Sequence, residues 1–273
     1  MINKLAVATL IWMSAASWAV ADESVGGRGD APLVVCADAY NFPASMKDLD
    51  PPGYDVEIIR AIAKLAAVRV EYIWPDTGTR GGLGRALRNS ILQKKCDVFV
   101  GLGMSSETVE EMKEKHLAFT QPYMSEGYVL IERGNAVGKI KLSDFREVKI
   151  GVAMSTPADA YLFDNGYKRS IFVRDRLIFK ALDTGEINVG LVWSPALAYA
   201  RKDFSSIPFQ VSNQMPEAGL RWNVSMAVPE GDAALKELLD KATNELIRNG
   251  EIKRIVESYG VPFYPPMSRE TSN

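Results

Sequence analysis

The chain has 273 residues, with 32 lysines and arginines against 34 aspartates and glutamates and a single histidine, for a formal charge of −2. That balance leaves no electrostatic case for nucleic acid, and the basic runs are short and interleaved with acids, as in Glu111-Met112-Lys113-Glu114-Lys115. One histidine and two cysteines fall short of a four-ligand metal site, and no metal or cofactor is expected.

At the N-terminus Lys4 precedes the apolar run Leu5–Met13, small residues follow, and Ala19-Val20-Ala21 stands before Asp22-Glu23. This is the layout of a cleavable secretory signal peptide over 1–21, which predicts export to the periplasm. The apolar run is too short to anchor the chain in a membrane, and no later segment reaches spanning length, so the mature protein is expected not to be membrane-embedded. About 250 residues remain, enough for one large domain or two small ones. Export places Cys36 and Cys96 in an oxidising compartment, where an even count favours a disulfide; two free buried thiols are the alternative.

Residues 22–31 are small and polar and read as a loose lead. Leu33–Ala37 is a strand-type apolar run, and Pro51-Pro52-Gly53 breaks the chain before a helix whose Ile58, Ile59, Ile62, Leu65 and Ala66 keep a 3.6-residue period. Val68, Val70 and Tyr72 alternate as a strand does, a second helix carries Leu83, Leu87, Ile91 and Leu92, and Asp97–Val100 is the next strand. The pattern restarts at the strand Val148–Ala153, after which Thr156-Pro157 fits an N-cap with proline at the first helical position. A further helix runs to Leu182, Gly185 turns the chain, and Val189–Trp193 is a strand before a short helix opened by Pro195. Two amphipathic helices, divided by Gly250, close the chain, and the three prolines 262, 265 and 266 end its ordered part. Alternating strands and helices predict α/β lobes with mainly parallel sheets covered on both faces.

Gly53-Tyr54-Asp55-Val56-Glu57, Phe119-Thr120-Gln121-Pro122-Tyr123, and Asn249-Gly250-Glu251-Ile252 with Val256-Glu257-Ser258-Tyr259-Gly260 together resemble the type 2 periplasmic binding proteins, which include polar amino-acid receptors. The resemblance implies a two-lobed fold hinged by two crossover strands, with lobe 1 formed by 31–125 plus 225–264, lobe 2 by 126–224, and a flexible tail at 265–273. The hinge is expected near Glu126–Leu130 and Asn223–Val228, with a ligand held beyond the carboxyl ends of the strands and the lobes closing over it. Amino-acid receptors of the family grip the ligand carboxylate with an arginine where this chain has Lys113. Leu102, Gly103 or Met104 stands for their hydroxyl residues, and Trp193 for the aspartate that meets the ammonium. A zwitterion buried without fixed charges costs several kcal/mol, so a standard amino-acid receptor is set aside.

Cys36-Ala37-Asp38, Arg80-Gly81, Cys96-Asp97-Val98, Val192-Trp193-Ser194-Pro195 and Tyr259-Gly260-Val261-Pro262 are similar to the MoxJ/XoxJ-like group. These binding-protein relatives are associated with pyrroloquinoline-quinone (PQQ) alcohol dehydrogenases and their c-type cytochromes. The resemblance implies an accessory that assists or activates a methanol-type dehydrogenase, its partners being that enzyme and its cytochrome c, with a small-molecule ligand in the cleft as a further expectation. The alternative is a receptor delivering a solute other than a standard amino acid to an importer.

Trp74, Tyr123, Tyr128, Trp193 and Trp222 fall at strand ends or crossovers, and Tyr40 and Phe42 in the loop after the first strand. An aromatic-lined cleft suits an apolar or aromatic ligand or a partner's loop, although the same rings would serve as core. Asp38, Gly103, Met104 and Thr156 complete the expected cleft, Asp38 serving equally well as a helix cap or ion-pair partner. Gly101-Leu102-Gly103 lacks the third glycine of a nucleotide loop, Gly81–Gly84 offers an anion nest or a flexible helix start, and His116 reads as a surface residue. No nucleophile or acid–base constellation is present, and the chain is read as not an enzyme.

Overall fold

A computed structural model describes residues 31–134, 140–204, 208–212 and 218–268. The expected signal peptide, residues 22–30 of the lead and residues 269–273 of the tail lie outside the described residues. The first part of the chain forms β1 (Leu33–Cys36), β2 (Tyr40–Asn41), β3 (Ser45–Met46), α1 (Tyr54–Leu65), β4 (Val70–Ile73), α2 (Gly82–Asn89), β5 (Val98–Gly103), α3 (Ser106–Glu114) and β6 (Leu117–Phe119). A long strand, β7 (Met124–Arg133), leads to β8 (Ile150–Ala153), α4 (Pro157–Asp164), β9 (Arg169–Phe172), α5 (Asp175–Thr184), β10 (Val189–Trp193), α6 (Leu197–Asp203) and β11 (Phe209–Val211). Strand β12 (Arg221–Pro229) brings the chain back, and α7 (Ala233–Arg248) and α8 (Glu251–Ser258) complete it.

Local chemistry explains the element limits. Thr156 caps α4 by accepting the Asp159 N–H, with Pro157 in the first turn. Gly185 and Gly250 take the left-handed conformation that ends a helix. Helix α1 buries Ile58, Ile59 and Ile62 but ends at Leu65, which is 45% exposed, so the periodic stripe stops one turn earlier than its spacing predicts. Gly53, with φ 119°, leaves no room for a side chain, because a Cβ there would sit 2.3 Å from the Ala44 carbonyl oxygen. Its N–H donates to the Tyr259 hydroxyl at 3.0 Å, so two motifs from opposite ends of the sequence meet at the start of α1.

The sheet runs β4-β1-β5-β12-β7-β10-β8-β9, with β6 beside β12 and β11 beside β7. Strands β4, β1 and β5 are mutually parallel, as are β10, β8 and β9. The two long strands enter antiparallel to these neighbours, making the sheet mixed where alternation alone predicted mainly parallel pairing. Met124–Gly127 of β7 pairs with Arg221–Val224 of β12; beyond it β7 turns to β10 and β12 turns to β5. These four-residue stretches are the crossover, set slightly N-terminal of the expected hinge.

Helices cover each half on both faces. In lobe 1, Ile58, Ile62, Leu239 and Ile255 pack with β1, β5 and β12, while Leu87, Ile91, Phe99 and Met112 pack on the opposite side around both cysteines. In lobe 2, Leu162 packs with Ile150, Val152 and Leu191, and Ile178, Phe179 and Leu182 pack with Ile131 and Val192. Each such fully buried side chain contributes about 1.5–3 kcal/mol. Cys36 and Cys96 are joined, with Cα atoms 5.8 Å apart, which decides between the two readings of the thiols.

The segment after the last helix does not leave the surface at residue 265. The Tyr264 carbonyl accepts the Ser125 N–H at 2.9 Å, the Pro265 carbonyl accepts from Ser125 Oγ and Arg221 Nη2, and Met267 exchanges two hydrogen bonds with the Asn223 side chain. Residues 264–267 are thus laid across both crossover strands, where a loose tail was expected from 265. Among the described residues no helix is long and apolar enough to cross a membrane.

Candidate functional site

The carboxyl ends of β1, β5 and β10 face one another across the crossover, and a cavity of about 690 Å³ lies between them. Its lobe-1 wall is Phe99 to Gly103 of β5, with Asp38 and Asp55; its lobe-2 wall is Tyr128, Pro157, Asp175 and Trp193, and Trp222 of β12 stands at the crossover. A side chamber of about 180 Å³ shares Asn41, Asp55, Gly101, Asp175 and Trp193 with it and adds Phe42, Tyr54, Glu126 and Tyr199.

Three aromatic rings form one corner. Tyr128 lies 5.2 Å from Trp193 and 6.3 Å from Trp222, and the two indoles are 5.9 Å apart, all mutually tilted. The register places them there, since Tyr128 is paired directly opposite Trp193. Burial pushes the Tyr128 phenol up to about 12, against a hydrogen bond from the Thr156 side chain. Phe42 packs edge-on against Tyr199 at 5.1 Å in the side chamber.

Four carboxylates, Asp38, Asp55, Glu107 and Asp175, line the main cavity, and Glu126 lines the chamber. Asp38 accepts the Tyr40 N–H at 2.9 Å and the Thr77 hydroxyl. Asp55 accepts the Tyr123 hydroxyl and Glu126 the Tyr54 hydroxyl. Burial raises Asp55 well above the ordinary carboxylate range, Glu126's charge adds to this, and the Tyr123 bond opposes it. Burial raises Glu126 to about 7, opposed by Tyr54. Asp175 is raised by burial to about 6, opposed by the Trp193 backbone N–H, and one of its oxygens is buried without a hydrogen-bond partner. No lysine, arginine or histidine among the described residues lines either space.

Of the residues expected at the cleft, Asp38, Gly103, Tyr128, Trp193 and Trp222 line the main cavity and Phe42 the chamber. Thr156 stands behind Tyr128 as a helix cap. The other four fall elsewhere. Tyr123 is turned wholly into the core to reach Asp55, and Trp74 stacks on Tyr72 at 5.4 Å beside the lobe-1 core. Tyr40 is 60% exposed outside the cavity. Met104, one residue beyond the end of β5, lines a separate space beside Pro266 and Met267. Lys113 is 78% exposed and paired with Glu110, far from any anchoring role. His116 is exposed beside Glu230, and Gly81 with Gly82 forms the start of α2. The cleft acids Asp55, Glu126 and Asp175 were not foreseen, although Asp55 sits within the first quoted motif.

Gly101 holds this arrangement open. Its φ is +79°, and a Cβ there would lie 2.4 Å from Asp55 Oδ2. Gly101→Ala is expected to destabilise the protein by about 2 kcal/mol, combining a left-handed backbone with an overpacked contact; the midpoint of urea unfolding measures it.

Residues 33–262 match the bacterial extracellular solute-binding proteins, family 3. The chain belongs to this family. It is a family of extracellular solute-binding proteins. No curated protein matches the chain at a significant level. Among solved structures, the family-3 fold here is similar to the L-cystine solute receptor of Neisseria gonorrhoeae in its unliganded open conformation, at 20% identity and TM-score 0.71, covering 88% of this chain and 97% of that one. Substrate binding domain 2 of Lactococcus lactis GlnP, also open, gives 19% identity and TM-score 0.69 over 86% and 97%. MxaJ from Methlophaga aminisulfidivorans gives 19% and 0.60 over 85% and 99%. At these identities the likenesses establish the two-lobed fold alone.

Proposed function

We propose that this family-3 protein is exported to the periplasm by a signal peptide over 1–21 and serves as an accessory to a PQQ-dependent, methanol-type alcohol dehydrogenase. It acts through the cleft between lobe 1 (31–125 plus 225–264) and lobe 2 (126–224). The observation that carries this reading is the absence, among the described lining residues, of any cation to hold an α-carboxylate. That sets the protein apart from receptors for free amino acids. The motifs around Cys36-Ala37-Asp38, Cys96-Asp97 and Val192–Pro195 supply the direction, and the first two are joined by the disulfide.

The dehydrogenase, purified with its cytochrome, is expected to gain activity when the mature chain is added, or to be retained on it in co-purification. A cognate enzyme that shows neither response in a sensitive assay overturns the proposal. A cavity of about 690 Å³, within the range of small-molecule sites, favours one second reading: a solute receptor for an importer. That reading predicts ligand-dependent stabilisation with no effect on the dehydrogenase.

A further inference from the structure

We infer that the cleft takes a small organic cation that carries no carboxylate. This rests on the cleft being the ligand site, and three features of its wall then choose the ligand class.

The first is the aromatic corner. Tyr128, Trp193 and Trp222 all line the main cavity, and their planes meet at 59°, 48° and 79°. None of these pairs is stacked face to face, so the corner keeps ring face toward the cavity, and indole and phenol faces attract ammonium and guanidinium groups. The second is an acceptor without a donor. One Asp175 oxygen is buried and makes no hydrogen bond, and it lies in the wall shared by both spaces next to Trp193. A buried acceptor left alone is costly, and a ligand N–H or a close cation relieves that cost. The third is the sign of the field. Asp38, Glu107 and Asp175 line the cavity with no described cation opposite them, so the potential inside is negative.

The same wall rejects a zwitterion. The carboxylate of an amino acid would lose its water and find carboxylates rather than a lysine or arginine, an uncompensated burial. Lys113, at the sequence position of the family's arginine, is exposed and engaged with Glu110. The aromatic corner and the free acceptor also argue against a purely apolar ligand, which would leave Asp175 unpaired.

Calorimetry and thermal melting of the mature chain test this with choline, putrescine and agmatine as cations. Arginine serves as the carboxylated counterpart of agmatine and dimethylbutanol as the neutral isostere of choline. At least one cation is expected to bind, agmatine more tightly than arginine and choline more tightly than dimethylbutanol, each by about tenfold or more. Trp193→Ala and Asp175→Asn are each expected to weaken cation binding by about tenfold. Asp175→Asn preserves shape, and its melting without ligand shows that the fold persists. Binding of arginine as tight as agmatine, binding of dimethylbutanol as tight as choline, or no binding of any cation up to about 10 mM overturns the inference. Activation of the dehydrogenase is read without these probes, so the accessory reading and the ligand class stand or fall separately.

Discussion

Joint replacement of Cys36 and Cys96 by alanine is expected to lower stability by about 4 kcal/mol, the chain-entropy value for a cross-link spanning 60 residues. The thermal midpoint should fall by about 10 °C for a chain of this size. Alanine is the informative choice, because serine at these buried positions would add an unpaired hydroxyl to an apolar cluster with Leu87, Phe99 and Met112. Reductant should reproduce most of the loss in the native chain and change nothing in the double variant. Equal midpoints for the oxidised native chain and the double variant would show that the cross-link adds no stability. The bond also has a local role. Cys36 ends β1 two residues before Asp38, and Cys96 enters β5, whose Phe99–Gly103 segment is the lobe-1 wall of the cavity. Its loss should therefore loosen the cleft as well as the fold.

Most of the fold is readable in the chain because its local signals agree. The Thr156-Pro157 cap and the glycines at 185 and 250 each name an element boundary that the structure keeps, and the isoleucines of α1 name its buried face. The crossover strands are harder to read. From Met124 to Ile131 every residue of β7 is buried, so no alternation marks a face, and an apolar run carries no information on strand direction. The pairing of β7 and β12 joins segments about a hundred residues apart, which only the assembled sheet reveals. The strap from Tyr264 to Met267 is hidden for a related reason. Prolines lack a backbone donor, but their carbonyls still accept, and Arg221 and Ser125 make use of that of Pro265.

The cleft divides in the same way. Tyr128, Trp193 and Trp222 are legible because large aromatics at strand ends must either enter the core or face the cleft, and register puts these three at the cleft. The acids are not, because each has an ordinary explanation where it stands. Asp55 and Asp175 lie in the first turns of α1 and α5, where any carboxylate complements the helix dipole. Glu126 lies within a run of buried strand residues, and its partner Tyr54 is 72 positions away. Asp38 was the one acid expected at the cleft, and the structure adds Asp55, Glu107 and Asp175 to the lining of the main cavity and Glu126 to that of the chamber.

Glu126 also links stability to pH. It is 9% exposed, and burial lifts it from an ordinary 4.5 to about 7, the Tyr54 hydroxyl recovering only part of the penalty. Between those two values the folded protein holds a proton that the unfolded chain has released, so stability falls as pH rises. Above the folded value both states are ionised and the loss stops growing. The separation corresponds to about 3 kcal/mol. Asp55 is raised by burial and by Glu126's charge and steepens the same slope. Tyr54 and Tyr123, the other groups of this cluster, are raised as well and stay neutral across the range. Glu126→Gln cannot ionise, keeps the side-chain shape and leaves Tyr54 an amide oxygen to bond. The variant is expected to match the native chain near about pH 4 and to exceed its stability by about 3 kcal/mol near about pH 8, as read from urea unfolding across that range. Parallel curves for the two proteins would mean that Glu126 does not ionise between these limits. Because Glu126 is paired with Trp222 in the crossover, its ionisation acts where the two lobes meet, and a neutral glutamine there should stiffen that junction most at the alkaline end.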